Sequence, residues 1–218
     1  GDEVVDRAVR EFTVQHLGLL HFFRTFLPHS PPPVTLAPAT AHYSWPKAAT
    51  LLGLGASDSS LQLVDVDLDA RMNPDDLERR LKTCLDTRTP VIAVVAVVGS
   101  TEENSIDPLR RILQIRDRLR KEGLEFAIHV DAAWGGYFAS LLRTDAEMAG
   151  GRKEPAGRDA AALAPIPTVD LSPYAKEQIQ ALPEADSITV DPHKSGYVPY
   201  PAGGLCYRYS AMRDLISL

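Results

Sequence analysis

The sequence predicts an α/β protein built on a mostly parallel mixed sheet with helices on both faces. Three observations carry this. Short apolar runs alternate along the chain with longer amphipathic stretches, the pattern of strand–helix–strand units. The run Val91–Val98 is unbroken Val, Ile and Ala, as in a strand covered on both sides. Asn73-Pro74 and Asp107-Pro108 each precede such a stretch, as cap and first-turn proline do at a helix start.

Taken in order, Val4, Val5, Ala8, Val9, Phe12 and His16 recur at helical spacing, so Asp2 to Phe26 is expected to be helical. The prolines of "PHSPPP" end it. "VTLAPATAHYS" reads as a strand running into a loop. Pro46 is expected to open a helix, "WPKAATLLGLG", closed by Gly53 and Gly55. "LQLVDVD" is a second strand. "NPDDLERRLKTCL" is a helix with Asn73 as cap and acids in its first turn, where they complement the helix dipole. After the Val91–Val98 strand, "DPLRRILQIRDRLRKEG" is a helix with Asp107 as its cap. "FAIHVDAAWGG" contains the next strand. Residues 144–183, rich in Ala, Pro and Gly, are expected to be an irregular insertion carrying one short helix at Pro173–Ala181. "SITVDPHK" and "GGLCYR" supply the last two strands.

A chain of 218 residues suits one large domain or part of one. The formal charge of -6 argues against a broad surface for nucleic acid or anionic lipid. No apolar stretch is long enough to span a bilayer, and no signal-peptide pattern opens the chain. Two cysteines, Cys84 and Cys206, make no disulfide framework, so a reducing cytoplasmic setting is the expectation. The chain starts at Gly1 in what reads as mid-domain helix, and a fragment of a longer protein is expected.

Ligands of parallel α/β sheets sit at the carboxyl ends of the strands. Four such ends carry polar groups here: His42, Ser100-Thr101, Asp131, and Asp191 with His193 and Lys194. A lysine crowded at a strand exit loses hydration, which favours the neutral amine, and such an amine forms a Schiff base with an aldehyde. The alternative is a solvated lysine reaching out of a loop. Asp131, after four apolar residues, needs a cationic or hydrogen-bonding partner. A protonated pyridine nitrogen would serve, as would a structural ion pair or a helix cap. Ala133, Gly135 and Gly136 are small enough to let a flat ring approach the backbone, and His42 could stack on the opposite ring face. A metal site is the rival reading, with His129-x-Asp131 and Asp191-x-His193 as two pairs of side chains on adjacent strands. Lys194 would stand beside that cation and repel it.

"HVDAAWGGYFAS" followed by "DSITVDPHKSGYVPYPAGG" resembles the group II pyridoxal-phosphate-dependent amino-acid decarboxylases. "AHYSWPKAATLLGLG" and "GSTEENSIDPL" resemble two further blocks of that family, in the same order. The resemblance implies an incomplete large domain of the type I, aspartate-aminotransferase-like fold, with pyridoxal 5'-phosphate as cofactor. It implies decarboxylation of an L-amino acid through a lysine Schiff base and a quinonoid intermediate, in a homodimer. Other lyases on the same scaffold, and a catalytically incomplete fragment, stay open beside it. The roles it implies are Lys194 for the Schiff base, His193 for the cofactor phosphate and Asp131 for the pyridine nitrogen. Ala133 and His42 would hold the two ring faces, and Thr101 would anchor the cofactor near Asp131. The family often has Asn where this chain has Asp191, so Asp191 is left without a role. The family's Gly/Ser/Thr-rich phosphate loop upstream of the His42 block has no counterpart here.

Overall fold

The computed structural model describes Val4, Arg7, residues 10–143 and residues 170–212. Among the described residues, six strands form one sheet in the order β2-β1-β3-β4-β5-β6. They are β1 (Val34–Pro38), β2 (Leu61–Val64), β3 (Val91–Val97), β4 (Ala127–Asp131), β5 (Ser187–Val190) and β6 (Gly204–Tyr207). The first five run parallel, and β6 pairs antiparallel with β5 at the edge. The chain leaves β1 toward β2 on one side and returns to place β3 on the other. That reversal opens a crevice above β1 and β3, the usual ligand position in such sheets.

Alternation along the strands sorts the sheet into two unlike faces. On one, Val34, Leu36, Val94, Ala96, Val98, Ile128 and Val130 are buried in the main core. Three helices cover this face: α4 (Pro74–Asp86), α5 (Leu109–Lys121) and α6 (Pro173–Gln180). Leu77, Leu81 and Cys84 of α4 recur at helical spacing and are buried, as are Leu109, Ile112, Leu113, Ile115 and Leu119 of α5. On the opposite face Ala37, Leu61 and Val95 form a small cluster with Ala41 and Trp45. Trp45 belongs to α3 (Ser44–Leu51), a short helix on the side where the polar strand ends gather. The parallel α/β architecture is as the sequence predicts, with its apolar mass concentrated on one side.

Several elements differ from their sequence reading. The expected single N-terminal helix is interrupted. Thr13 is extended and Gly18 has φ 76°, so the described part divides into α1 (Val14–Leu17) and α2 (Leu19–Phe26). A positive φ suits glycine and stops a right-handed helix. Helix α3 starts two residues before Pro46, which then lies in its first turn, where a missing N–H costs nothing. Helix α4 starts as expected: the Asn73 side chain accepts from the N–H groups of Asp75 and Asp76 at 2.9 and 3.2 Å, a cap worth about 1 kcal/mol. Of residues 144–183, those from 144 to 169 lie outside the described residues. The predicted short helix is α6, and its Ala175, Gln178 and Ile179 are buried.

Asp107 does not cap α5. It is fully buried, and its carboxyl oxygens accept from the backbone N–H groups of Met72 and Val97, both at 2.7 Å. It ties the loop before α4 to the end of β3, just below the crevice. Burial pushes this carboxyl up to about 7, against the two N–H groups that draw it down. A native value above the unfolded one means the folded state holds the proton more tightly. The linked stabilisation is therefore complete below about pH 4 and lost as pH rises through about 7. The stability of the protein relative to its Asp107→Asn variant should fall by about 3 kcal/mol between pH 4.5 and pH 7.5. Urea denaturation of both at the two pH values checks this, and a pH-independent difference would refute it.

Candidate active site

The crevice holds a cavity of about 430 Å³ at the carboxyl ends of β1, β3, β4 and β5, within the size range of small-molecule sites. Of the six predicted site residues, His42, Thr101, Asp131, Ala133 and Lys194 line it. The sheet register explains the convergence. Asp131 closes β4, paired with Val97 of β3 on one side and Thr189 of β5 on the other. His42 follows β1 and Thr101 follows β3, so the groups meet above neighbouring strands.

Lys194 reaches the cavity through a turn. After β5 the chain folds back, with the N–H of Lys194 on the carbonyl of Asp191 at 2.9 Å and that of Tyr197 on the carbonyl of Lys194 at 3.1 Å. The Lys194 amine lies 3.0 Å from Asp191 Oδ2 and 5.5 Å from the centre of the Trp134 ring. Asp191, which the sequence left without a role, thus holds the amine. His193 is the exception among the six. It is not part of the lining: its Nδ1 meets the carbonyl of Ala202, its ring stands edge-on to Tyr200 at 4.8 Å, and its Nε2 is 3.9 Å from Asp191.

The carboxylate of Asp131 accepts two neutral N–H groups. Trp45 Nε1 donates to Oδ2 at 3.1 Å, and the backbone N–H of Ala133 donates to Oδ1 at 3.3 Å. His129, two residues earlier on the same face of β4, also lines the cavity. Its Nδ1 lies 2.8 Å from Ser187 Oγ and its Nε2 3.1 Å from Thr189 Oγ1. Burial lowers its basicity, and the charge of Asp131 opposes that in part. His129 and Asp131 therefore do share a face, but both imidazole nitrogens are engaged by hydroxyls rather than directed at a common ion. On the other wall, His42 Nδ1 is 2.9 Å from Ser44 Oγ, and its ring lies against Tyr43 at 4.1 Å.

The small residues divide differently from expectation. Ala133 and Gly99 face the cavity. Gly135 and Gly136 are small because of packing: an added Cβ would lie 2.3 Å from the carbonyl oxygen of Val98 and 2.8 Å from the Val190 side chain, respectively. These two glycines bring the 3₁₀ segment Gly135–Leu142 against the strand ends. Trp45, Ser187 and Thr189 were not singled out from the sequence. For Ser187 and Thr189 the signal was there, since alternate residues of one strand share a face with each other. For Trp45 only its place three residues after His42 hinted at it.

The family model described as the pyridoxal-dependent decarboxylase conserved domain matches residues 30–150. The L-tyrosine decarboxylase of Enterococcus faecium is 41% identical over 192 residues, covering 84% of this chain and 30% of that protein. A probable L-tyrosine/L-aspartate decarboxylase of Methanothermobacter thermautotrophicus is 30% identical over 187 residues, covering 85% of this chain and 40% of that protein. Among solved structures, mouse CSAD in apo form aligns with a TM-score of 0.62 at 27% identity, covering 94% of this chain and 35% of that one. The chain thus spans less than half the length of these relatives. Among the described residues, no helix is long and apolar enough to cross a membrane.

Proposed function

Because this chain belongs to the pyridoxal-dependent decarboxylase family, we propose that it holds pyridoxal 5'-phosphate and serves the decarboxylation of an L-amino acid in a homodimeric enzyme. The observation that carries this reading is the lining of one cavity by Lys194, Asp131, Ala133 and His42 at the strand ends. These residues fit the cofactor chemically. Lys194 offers an amine for an aldehyde carbon. Asp131 has about four lone-pair sites, of which the described residues occupy two, so an acceptor remains for a pyridinium N–H. Ala133 presents a small wall to a flat ring, with the His42 imidazole to close the other face. Thr101 contributes a hydroxyl to the same cavity.

When bound, the cofactor supplies the electron sink for the bond to the departing carboxylate. Asp131 would hold the ring nitrogen in its protonated form, which makes that sink effective. Lys194 would hold the aldehyde carbon through its amine, which Asp191 keeps at the cavity wall. L-tyrosine is the first substrate to test, since the relatives at 41% and 40% identity are L-tyrosine decarboxylases; L-aspartate is the second. The purified protein is titrated with pyridoxal phosphate while absorbance is followed, then given each amino acid and assayed for CO2. Amine and CO2 in equal amounts are expected. Turnover without CO2 would mean another lyase chemistry on this scaffold, and no spectral change on titration would mean that the chain does not hold the cofactor.

A further inference from the structure

We propose that Trp45 is a positioning residue for Asp131, its indole N–H fixing one carboxylate oxygen so that the acid meets the cofactor's ring nitrogen in a single orientation. This rests on the cofactor reading above. Trp45 comes from α3, 86 positions from Asp131 in sequence, yet its Nε1 lies 3.1 Å from Oδ2. Ala133 N–H holds the other oxygen. A carboxylate held at both oxygens cannot rotate about its Cβ–Cγ bond without losing a partner. Its remaining lone pairs then point in set directions.

The donors are neutral, and that matters. An Arg or Lys in the same place would form an ion pair with Asp131 and compete with a pyridinium for its charge. The indole orients the acid and leaves its charge available. The layer behind it is built the same way. His129 meets the Trp45 ring at 5.3 Å in an edge-on arrangement. Its two nitrogens are taken by Ser187 and Thr189, and burial holds it toward the neutral form. No imidazolium is thereby pressed against Asp131. The indole is itself fixed from below, packed on the cluster of Ala37, Leu61 and Val95. Its direction is thus set by the sheet on one side and by His129 on the other.

The test uses Trp45→Phe, which keeps an aromatic ring on His129 and removes the donor. Pyridoxal phosphate affinity is read by absorbance titration and by quenching of the remaining tryptophan, Trp134. Trp45→Phe is expected to bind about tenfold more weakly, the scale of one hydrogen bond to a charged group, with an unchanged melting temperature. Asp131→Ala should bind more weakly still, and the double variant no more weakly than Asp131→Ala alone, because the indole acts only through the acid. Wild-type affinity in Trp45→Phe, full additivity in the double variant, or a Trp45→Phe protein that fails to fold would each overturn the proposal. If instead the parent protein takes up no cofactor, or Asp131→Ala binds as the parent does, the cofactor reading itself fails and this inference with it.

Discussion

Replacing Lys194 by alanine is expected to lower decarboxylation by at least about a thousandfold, the scale seen when a covalent nucleophile is deleted. The amine lies at the cavity wall and is the group able to bond to an aldehyde carbon there. Its loss should leave the fold intact. Lys194 follows β5 in a turn, its amine lies beside the neighbouring Asp191 and over the Trp134 ring, and the apolar core lies on the opposite face of the sheet. The decisive measurement is labelling. Borohydride added with pyridoxal phosphate should fix the cofactor on Lys194 in the parent protein and on no single lysine in Lys194→Ala. A specific label elsewhere in that variant would remove Lys194 from its assigned role.

The second large effect is expected at Asp131. Asp131→Asn keeps the shape of the side chain and removes its charge. The rate should fall by about a thousandfold, the range for removing a preorganised electrostatic partner. Stability should change far less, because Asp131 lies on the polar face and its carboxylate accepts hydrogen bonds from Trp45 and Ala133 rather than packing in the apolar core. Steady-state assays of amine formation beside thermal melts separate the two. A variant that decarboxylates at the parent rate would show that no pyridinium depends on this acid.

The glycines of "AAWGG" show how a correct motif can carry a mixed message. The sequence reads their smallness as room for a flat ring. In the structure Ala133 lines the cavity, while Gly135 and Gly136 are small because Val98, just after β3, and Val190 of β5 press on them. Asp107 shows the same limit. An Asp before a Pro at a helix start looks like a cap, and local spacing offers no other reading. Its partners turn out to be Met72 and Val97, 35 and 10 residues away.

The order of apolar runs, capped helices and polar strand exits was enough, by itself, to determine a parallel α/β sheet with Lys194 and Asp131 at its carboxyl edge. Those features are local: periodicity, caps and the residue that ends a strand are all written in consecutive positions. Only the tertiary structure decided which groups face one another. It turned His193 toward Ala202 while bringing Lys194 to the cavity, joined Asp191 to the amine, and brought the Trp45 indole to Asp131. A hydrogen bond between residues 86 positions apart depends on strand order and register, and no spacing within either segment encodes it.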